Sequence, residues 1–137
     1  MSKSALFDKG LKIRKEVVGA DYVQRAFDKA GEFGREFQEL VTEYCWGASW
    51  GREALSRRDR SLLNIVMLGT LGRNAELALH LRGALRNGVT PDEIRDALFQ
   101  LAIYAGVPAG VESFRIAQEV LESPETHPNA PSKGQKP

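Results

Sequence analysis

Residues 74–108 read NAELALHLRGALRNGVTPDEIRDALFQLAIYAGVP, and their punctuation decides the fold class. Thr90 can cap a helix, Pro91 suits the first helical position and Glu93 completes a capping box, so Thr90-Pro91-Asp92-Glu93 is a strong start signal. That helix is predicted to run through Tyr104 and end at Gly106, and Pro108 opens a last helix to about Leu121. Upstream, Asn74 is the expected cap of a helix that runs to Asn87 and stops at Gly88. Leu77, Leu81, Ala84 and Leu85 form its apolar stripe. No strand-like alternation holds for long anywhere in the chain.

Outward from this stretch the same signals recur. Ser56 is predicted to cap a helix that opens with Arg57, Arg58, Asp59 and Arg60 and turns almost wholly apolar through Leu71, a pattern that belongs in a core. Toward the N-terminus, a helix over Phe7–Val18 carries Leu6, Gly10, Ile13 and Val17 on one stripe and ends at Gly19. A short helix from Asp21, its expected N-cap, to Ala30 stops at Gly31. Phe33, Phe37, Leu40, Val41 and Tyr44 then fall at i, i+4, i+7, i+8 and i+11, one face of a third helix. It runs into Cys45-Trp46-Gly47-Ala48-Ser49-Trp50-Gly51, where two glycines predict a loop crowded by two tryptophans. From Ser123 onward the chain holds four of its six prolines and no apolar stripe, which predicts a disordered tail. The expectation is an all-α, single-domain bundle of six to seven helices over residues 1–122, with residues 123–137 as the tail.

At 137 residues the chain is long enough to bury a core without staples, and 42% apolar with 27% charged residues is ordinary for a globular protein. Nineteen Lys and Arg against eighteen Asp and Glu leave a net charge of +1, with no basic block, so nucleic acid is a poor partner. The longest apolar runs, Leu62–Leu71 and Ala97–Val111, are shorter than the roughly 20 residues of a membrane span. The start, Met1-Ser2-Lys3-Ser4, lacks the apolar core of a signal peptide. The lone Cys45 can form no internal disulfide, which fits a reducing cytoplasm. There is no CxxC, HExxH, phosphate loop or dinucleotide fingerprint.

His127 lies in the tail, which leaves His80 as the imidazole of the folded region. Imidazole can give and take protons near neutral pH without a large pKa shift. Glu76 precedes His80 by four residues and Arg73 precedes Glu76 by three, so a continuous helix would place all three on one side, at the edge of the apolar stripe. A carboxylate one turn away can orient the ring, although an ordinary exposed ion pair is the plainer reading for a helix taken at random. Glu43, Trp46, Trp50 and Arg52 bracket the Trp-rich loop. They are either a core plug with charged ends or the wall and rim of a pocket. Arg57, Arg58 and Arg60 at the next helix start would attract a carboxylate, and Tyr104 ends an apolar helix as core residues commonly do.

Tyr44-Cys45-Trp46-Gly47, Arg60-Ser61-Leu62, Glu76-Leu77 with His80, Gly88-Val89-Thr90-Pro91 with Glu93-Ile94, and Tyr104-Ala105-Gly106-Val107-Pro108 resemble the carboxymuconolactone decarboxylase family in order and spacing. The resemblance extends from about Phe7 to Leu121. It implies an alkylhydroperoxidase-D-like helical fold, a homo-oligomer that is typically a ring of six, and a step of protocatechuate breakdown in the β-ketoadipate pathway. A redox branch of the superfamily carries Cys-x-x-Cys-x-x-x-His. With His80 on that histidine, Arg73 and Glu76 stand where the two cysteines would be, so the dithiol for peroxide reduction is missing.

The family substrate is an unsaturated lactone with a ring carboxylate and an acetate arm. Loss of CO2 sends electrons through the ring double bond into the lactone carbonyl, so the substrate is its own electron sink and no cofactor is implied. The protein must hold a dianion, stabilise an enolate oxygen and deliver a proton to carbon. By this resemblance Arg52, Arg60 and Arg73 are candidate carboxylate grips, because a guanidinium binds a carboxylate bidentately. Trp46, Trp50 and Tyr104 are candidate pocket walls. His80 is the candidate proton donor, oriented by Glu76. Glu43 is the alternative acid if burial against Trp46 and Trp50 raises its pKa.

Overall fold

A computed structural model of the chain describes residues 4–123. Among the described residues it is all-α: α1 (Ala5–Val18), α2 (Ala20–Leu40), a π-helical segment (Val41–Ser49), α3 (Arg57–Leu71), α4 (Asn74–Arg86), α5 (Pro91–Ala105) and α6 (Val107–Leu121). The predicted tail lies, beyond Ser123, outside the described residues. No helix among the described residues is long and apolar enough to cross a membrane. The chain divides between Arg60 and Ser61 into two compact units.

In the first unit α1 packs against the π-helical segment and α2. Ser4 caps α1, its Oγ accepting from the Phe7 amide at 3.0 Å. Gly19, at φ 96°, separates α1 from α2. The second helix therefore starts at Ala20 and not behind an Asp21 cap. Gly31 ends the first stretch of α2 as expected: at φ 57° and ψ −154° it lies outside helical geometry and sets a kink, beyond which a second helical stretch runs to Leu40.

The predicted loop after Tyr44 is instead a run of wide turns, closed for example by the Trp50 amide on the Cys45 carbonyl at 3.0 Å. Its glycine is a contact point and not a break. A Cβ at Gly47 would stand 2.5 Å from the Leu6 carbonyl oxygen, and one at Gly10 would stand 2.7 Å from the Gly47 amide nitrogen. Backbone meets backbone where α1 crosses this segment, and Thr42, Trp46 and Trp50 are buried there. Arg14 of α1 is buried beside them, donating to Thr42 Oγ1 at 3.0 Å and Gln38 Oε1 at 2.8 Å.

Gly10→Ala is therefore expected to destabilise this unit by about 1–3 kcal/mol, the usual cost of overpacking. Both tryptophans of the chain report on it, so urea unfolding followed by indole fluorescence is the measurement. An unchanged midpoint would mean that the close crossing does not exist.

In the second unit Ile65, Leu77, Leu81, Ala84, Val89, Ile94, Leu98, Leu101, Ile116, Ala117 and Val120 form one core. Leu98, with no exposed surface, contributes about 2 kcal/mol by its burial. The predicted capping box is present: Thr90 Oγ1 accepts from the Glu93 amide at 3.2 Å and Glu93 Oε1 accepts from the Thr90 amide at 3.1 Å. Gly106, at φ 114°, turns α5 directly into α6, which begins one residue before Pro108.

Two apolar stripes are exposed, the second of them on a helix expected to lie in the core. Phe33, Phe37, Leu40 and Tyr44 lie along the outside of α2 and the π-helical segment, and Leu63, Met67 and Leu71 along the outside of α3. The inward face of α3 is the Ser61, Ile65 and Gly69 stripe. Gly69 sits so close to α5 and α6 that a Cβ would be 2.6 Å from both Leu101 Cδ1 and Ser113 Oγ.

Candidate active site

Within the second unit the candidate chemistry gathers on the facing sides of α3 and α4. Leu77, Leu81 and Ala84 turn α4 inward, and His80, sharing that face, is carried in with them to 9% exposure. This is deeper than the edge-of-core position read from the sequence. Removal from water disfavours the imidazolium and pushes the His80 pKa down to about 4, against which the Glu76 carboxylate one turn away pulls upward. The ring is accordingly neutral near pH 7.

Its side-chain neighbour is Asn64 of α3, whose Nδ2 lies 3.4 Å from His80 Nδ1. Further along the same pair of helices the Asn87 amide donates to the Oγ of fully buried Ser61 at 2.9 Å. Sequence reasoning missed Asn64. Its signal was there: Ser61 and Asn64 are three residues apart, one turn, in a helix otherwise apolar from Leu62 to Met67.

Glu76 is exposed in the first turn of α4. Arg73 does not continue that face as expected. It is the N-cap residue, at φ −85° and ψ 76°, outside the helical spiral, so the three-residue spacing to Glu76 does not stack their side chains. Asn74, the expected cap, is the first helical residue and donates to Glu112 Oε1 of α6 at 2.9 Å. Tyr104 is 84% exposed at the end of α5, not core.

The other predicted residues belong to the first unit. Trp46 and Trp50 are buried and stacked, with ring centroids 5.0 Å apart and 26° between planes. Glu43 is half-buried and accepts from Ser4 Oγ at 3.0 Å. Ser56 caps α3 as expected, accepting from the Asp59 amide at 3.1 Å. Arg60, in the first turn of α3, donates from Nη2 to the Arg52 carbonyl at 3.1 Å, while its buried Nε has no hydrogen-bond partner. The Arg52 side chain is exposed.

Among the described residues no group of three or more His, Cys, Asp or Glu is gathered where it could hold a metal ion. The Cys45 thiol is pushed up from its ordinary value by desolvation, with Arg14 pulling the other way, which keeps it protonated and a poor nucleophile. An open trough of about 830 Å3 in the bend of α2, lined by Tyr22, Arg25, Lys29 and Gln38 among others, contains none of the residues that the sequence singled out.

Residues 35–119 match the carboxymuconolactone decarboxylase family. A nitrosuccinic acid decarboxylase from Metarhizium robertsii is 45% identical over 118 residues, covering 85% of this chain and 81% of that protein. A 4-carboxymuconolactone decarboxylase from Acinetobacter baylyi is 37% identical over 122 residues, covering 89% of this chain and 91% of that protein. An uncharacterized protein from Paracoccus denitrificans is 36% identical over 107 residues, covering 70% of this chain and 80% of that protein. With a family match across well over half of its length and relatives of this identity and coverage, the chain belongs to the carboxymuconolactone decarboxylase family.

Proposed function

We propose that the chain is a cofactor-free carboxy-lyase of a small polycarboxylic acid that carries its own electron sink. The observation that carries the reading is a buried imidazole, His80, that meets the Asn64 amide among buried apolar side chains. 4-Carboxymuconolactone is the first candidate substrate, giving the β-ketoadipate enol-lactone and CO2. Nitrosuccinate is the second, favoured by the 45% identity to a nitrosuccinic acid decarboxylase.

The two acids ask the same things of a protein. In the lactone the C–CO2 bond breaks and its electron pair passes through the ring double bond to the lactone carbonyl oxygen. In nitrosuccinate the pair left on the carbon bearing the nitro group passes to a nitro oxygen. Each case ends when that carbon, or its vinylogue in the lactone, takes one proton. Arg52, Arg60 and Arg73 are the candidate carboxylate grips.

His80 supplies the proton. A bound dianion beside the ring favours its charged form, and a nearby opposite charge typically moves a pKa by 1–3 units. That brings a group resting at about 4 toward the working range. Glu76 adds to the same pull. Glu43 is the alternative acid.

The test is incubation of the pure protein with each acid, fresh and separately, after exhaustive chelation, following CO2 release. Turnover of one acid is expected without any addition. Loss of activity on chelation with recovery on adding a metal would overturn the cofactor-free reading, and no CO2 from either acid would overturn both substrates. Cys45→Ser is expected to keep most of the turnover.

The exposed Phe33–Tyr44 and Leu63–Leu71 stripes support a homo-oligomer, a hexamer by family likeness, because contiguous apolar faces of this size are rarely left in water. Light scattering is expected to return several times the mass of one chain. A single-chain mass across a range of concentrations would contradict it.

A further inference from the structure

The geometry points to Asn64 as the positioning residue of His80: its side-chain amide holds Nδ1 as an acceptor, so that the ring carries its proton on Nε2. This deepens the proposed role of His80 and rests on it for its catalytic meaning, though not for its structural content.

The contact joins neighbouring helices of one unit, Nδ2 on α3 to Nδ1 on α4 at 3.4 Å. An amide nitrogen has only protons to give, so the ring nitrogen facing it must present a lone pair, and in neutral imidazole the other nitrogen then bears the hydrogen. The surroundings hold this choice in place. Ile65, next to Asn64, and Leu77 and Leu81, on either side of His80, are all at 1% exposure or less. In such a site water competes poorly for either partner, and an unmade hydrogen bond is costly.

Asparagine also suits a ring that must change protonation. It carries a donor and an acceptor on one rotor, so a half-turn of the amide offers Oδ1 to Nδ1–H once the ring is charged. Aspartate can only accept and leucine can do neither. Glu76, the carboxylate on the same helix as His80, acts on the charge of the ring and not on which nitrogen is protonated.

The test reads the tautomer directly, by heteronuclear NMR of 15N-histidine-labelled full-length protein, with His127→Gln used to assign the two rings. In the wild-type protein near neutral pH, His80 Nε2 is expected to resonate as a pyrrole-type nitrogen and Nδ1 as pyridine-type. Asn64→Asp should turn Nδ1 pyrrole-type, because the carboxylate demands Nδ1–H, and Asn64→Leu should give a mixture of tautomers. With a substrate that turns over, Asn64→Asp should displace the pH profile of kcat upward with KM little changed, since a carboxylate on Nδ1 raises the pKa of the ring that gives the proton.

A pyridine-type Nε2 in the wild-type protein would overturn the inference, even if neither variant folds. So would an unchanged wild-type pattern in folded Asn64→Asp and Asn64→Leu. If the tautomer behaves as stated but His80→Gln turns over normally, the positioning stands and the catalytic role of His80 falls. The two failures are thus distinguishable.

Discussion

His80→Gln is expected to lower kcat by about two to four orders of magnitude, the scale of a lost general acid, while KM changes much less. Glutamine keeps the approximate size and a hydrogen-bonding end, so the α3–α4 contact beside Asn64 should survive, but it has no proton to deliver to carbon. Glu76→Gln should give a smaller kcat loss and a displaced pH profile, because the carboxylate that raises the ring's pKa is gone while the ring remains. Arg52→Ala, Arg60→Ala or Arg73→Ala should show the opposite pattern, with KM rising and kcat less affected, wherever the arginine removed grips the substrate. The comparison with Glu43 is decisive. A His80→Gln protein that turns over normally beside a folded but inactive Glu43→Gln protein would assign the proton to Glu43. His80 would then be a buried structural histidine.

The second large effect is a loss of stability in acid that belongs to His80 alone. Its pKa is about 4 in the folded chain against an ordinary value of 6.5. Between these values the unfolded chain binds a proton that the folded chain refuses. Unfolding therefore takes up protons, and stability falls as pH is lowered. The contribution is fully present above pH 6.5, drains through the interval and is gone near pH 4, for a total of about 3 kcal/mol. Comparing urea unfolding of wild-type and His80→Gln protein across this range by circular dichroism isolates it from the carboxylates, which both proteins share. The difference in stability should shift by about that amount in favour of the variant as the solution becomes acid. Removing Glu76 should deepen the wild-type loss, since its charge opposes the desolvation. A pH-independent difference would mean that the ring is solvated and not buried as described.

The helix ends and the family were legible in the chain itself. The Thr90–Glu93 box, the Ser56 cap and the glycine turns at Gly19 and Gly106 are decided within about four residues, by side-chain oxygens meeting free amides or by backbone angles that glycine adopts without strain. That is why all of them stand in the structure where the sequence put them. Positions that needed a partner from elsewhere in the chain were not legible. Gly47 looked like a break and proved to be a place where α1 approaches too closely for any side chain. The apolar stripe from Phe33 to Tyr44 has the right period for a core face, yet period says only which residues lie together and not what covers them.

For the site the division is the same. That His80 was the imidazole to examine, with Glu76 one turn away, followed from composition and spacing alone. How deep the ring sits, why it rests neutral, and that Asn64 meets its Nδ1 were decided only by the tertiary packing of the second unit. Burial and a hydrogen bond between residues sixteen apart depend on that packing, which no local signal encodes. Arg73 shows the reverse: a spacing that presupposed a helix lost its meaning once the chain placed that residue just outside it.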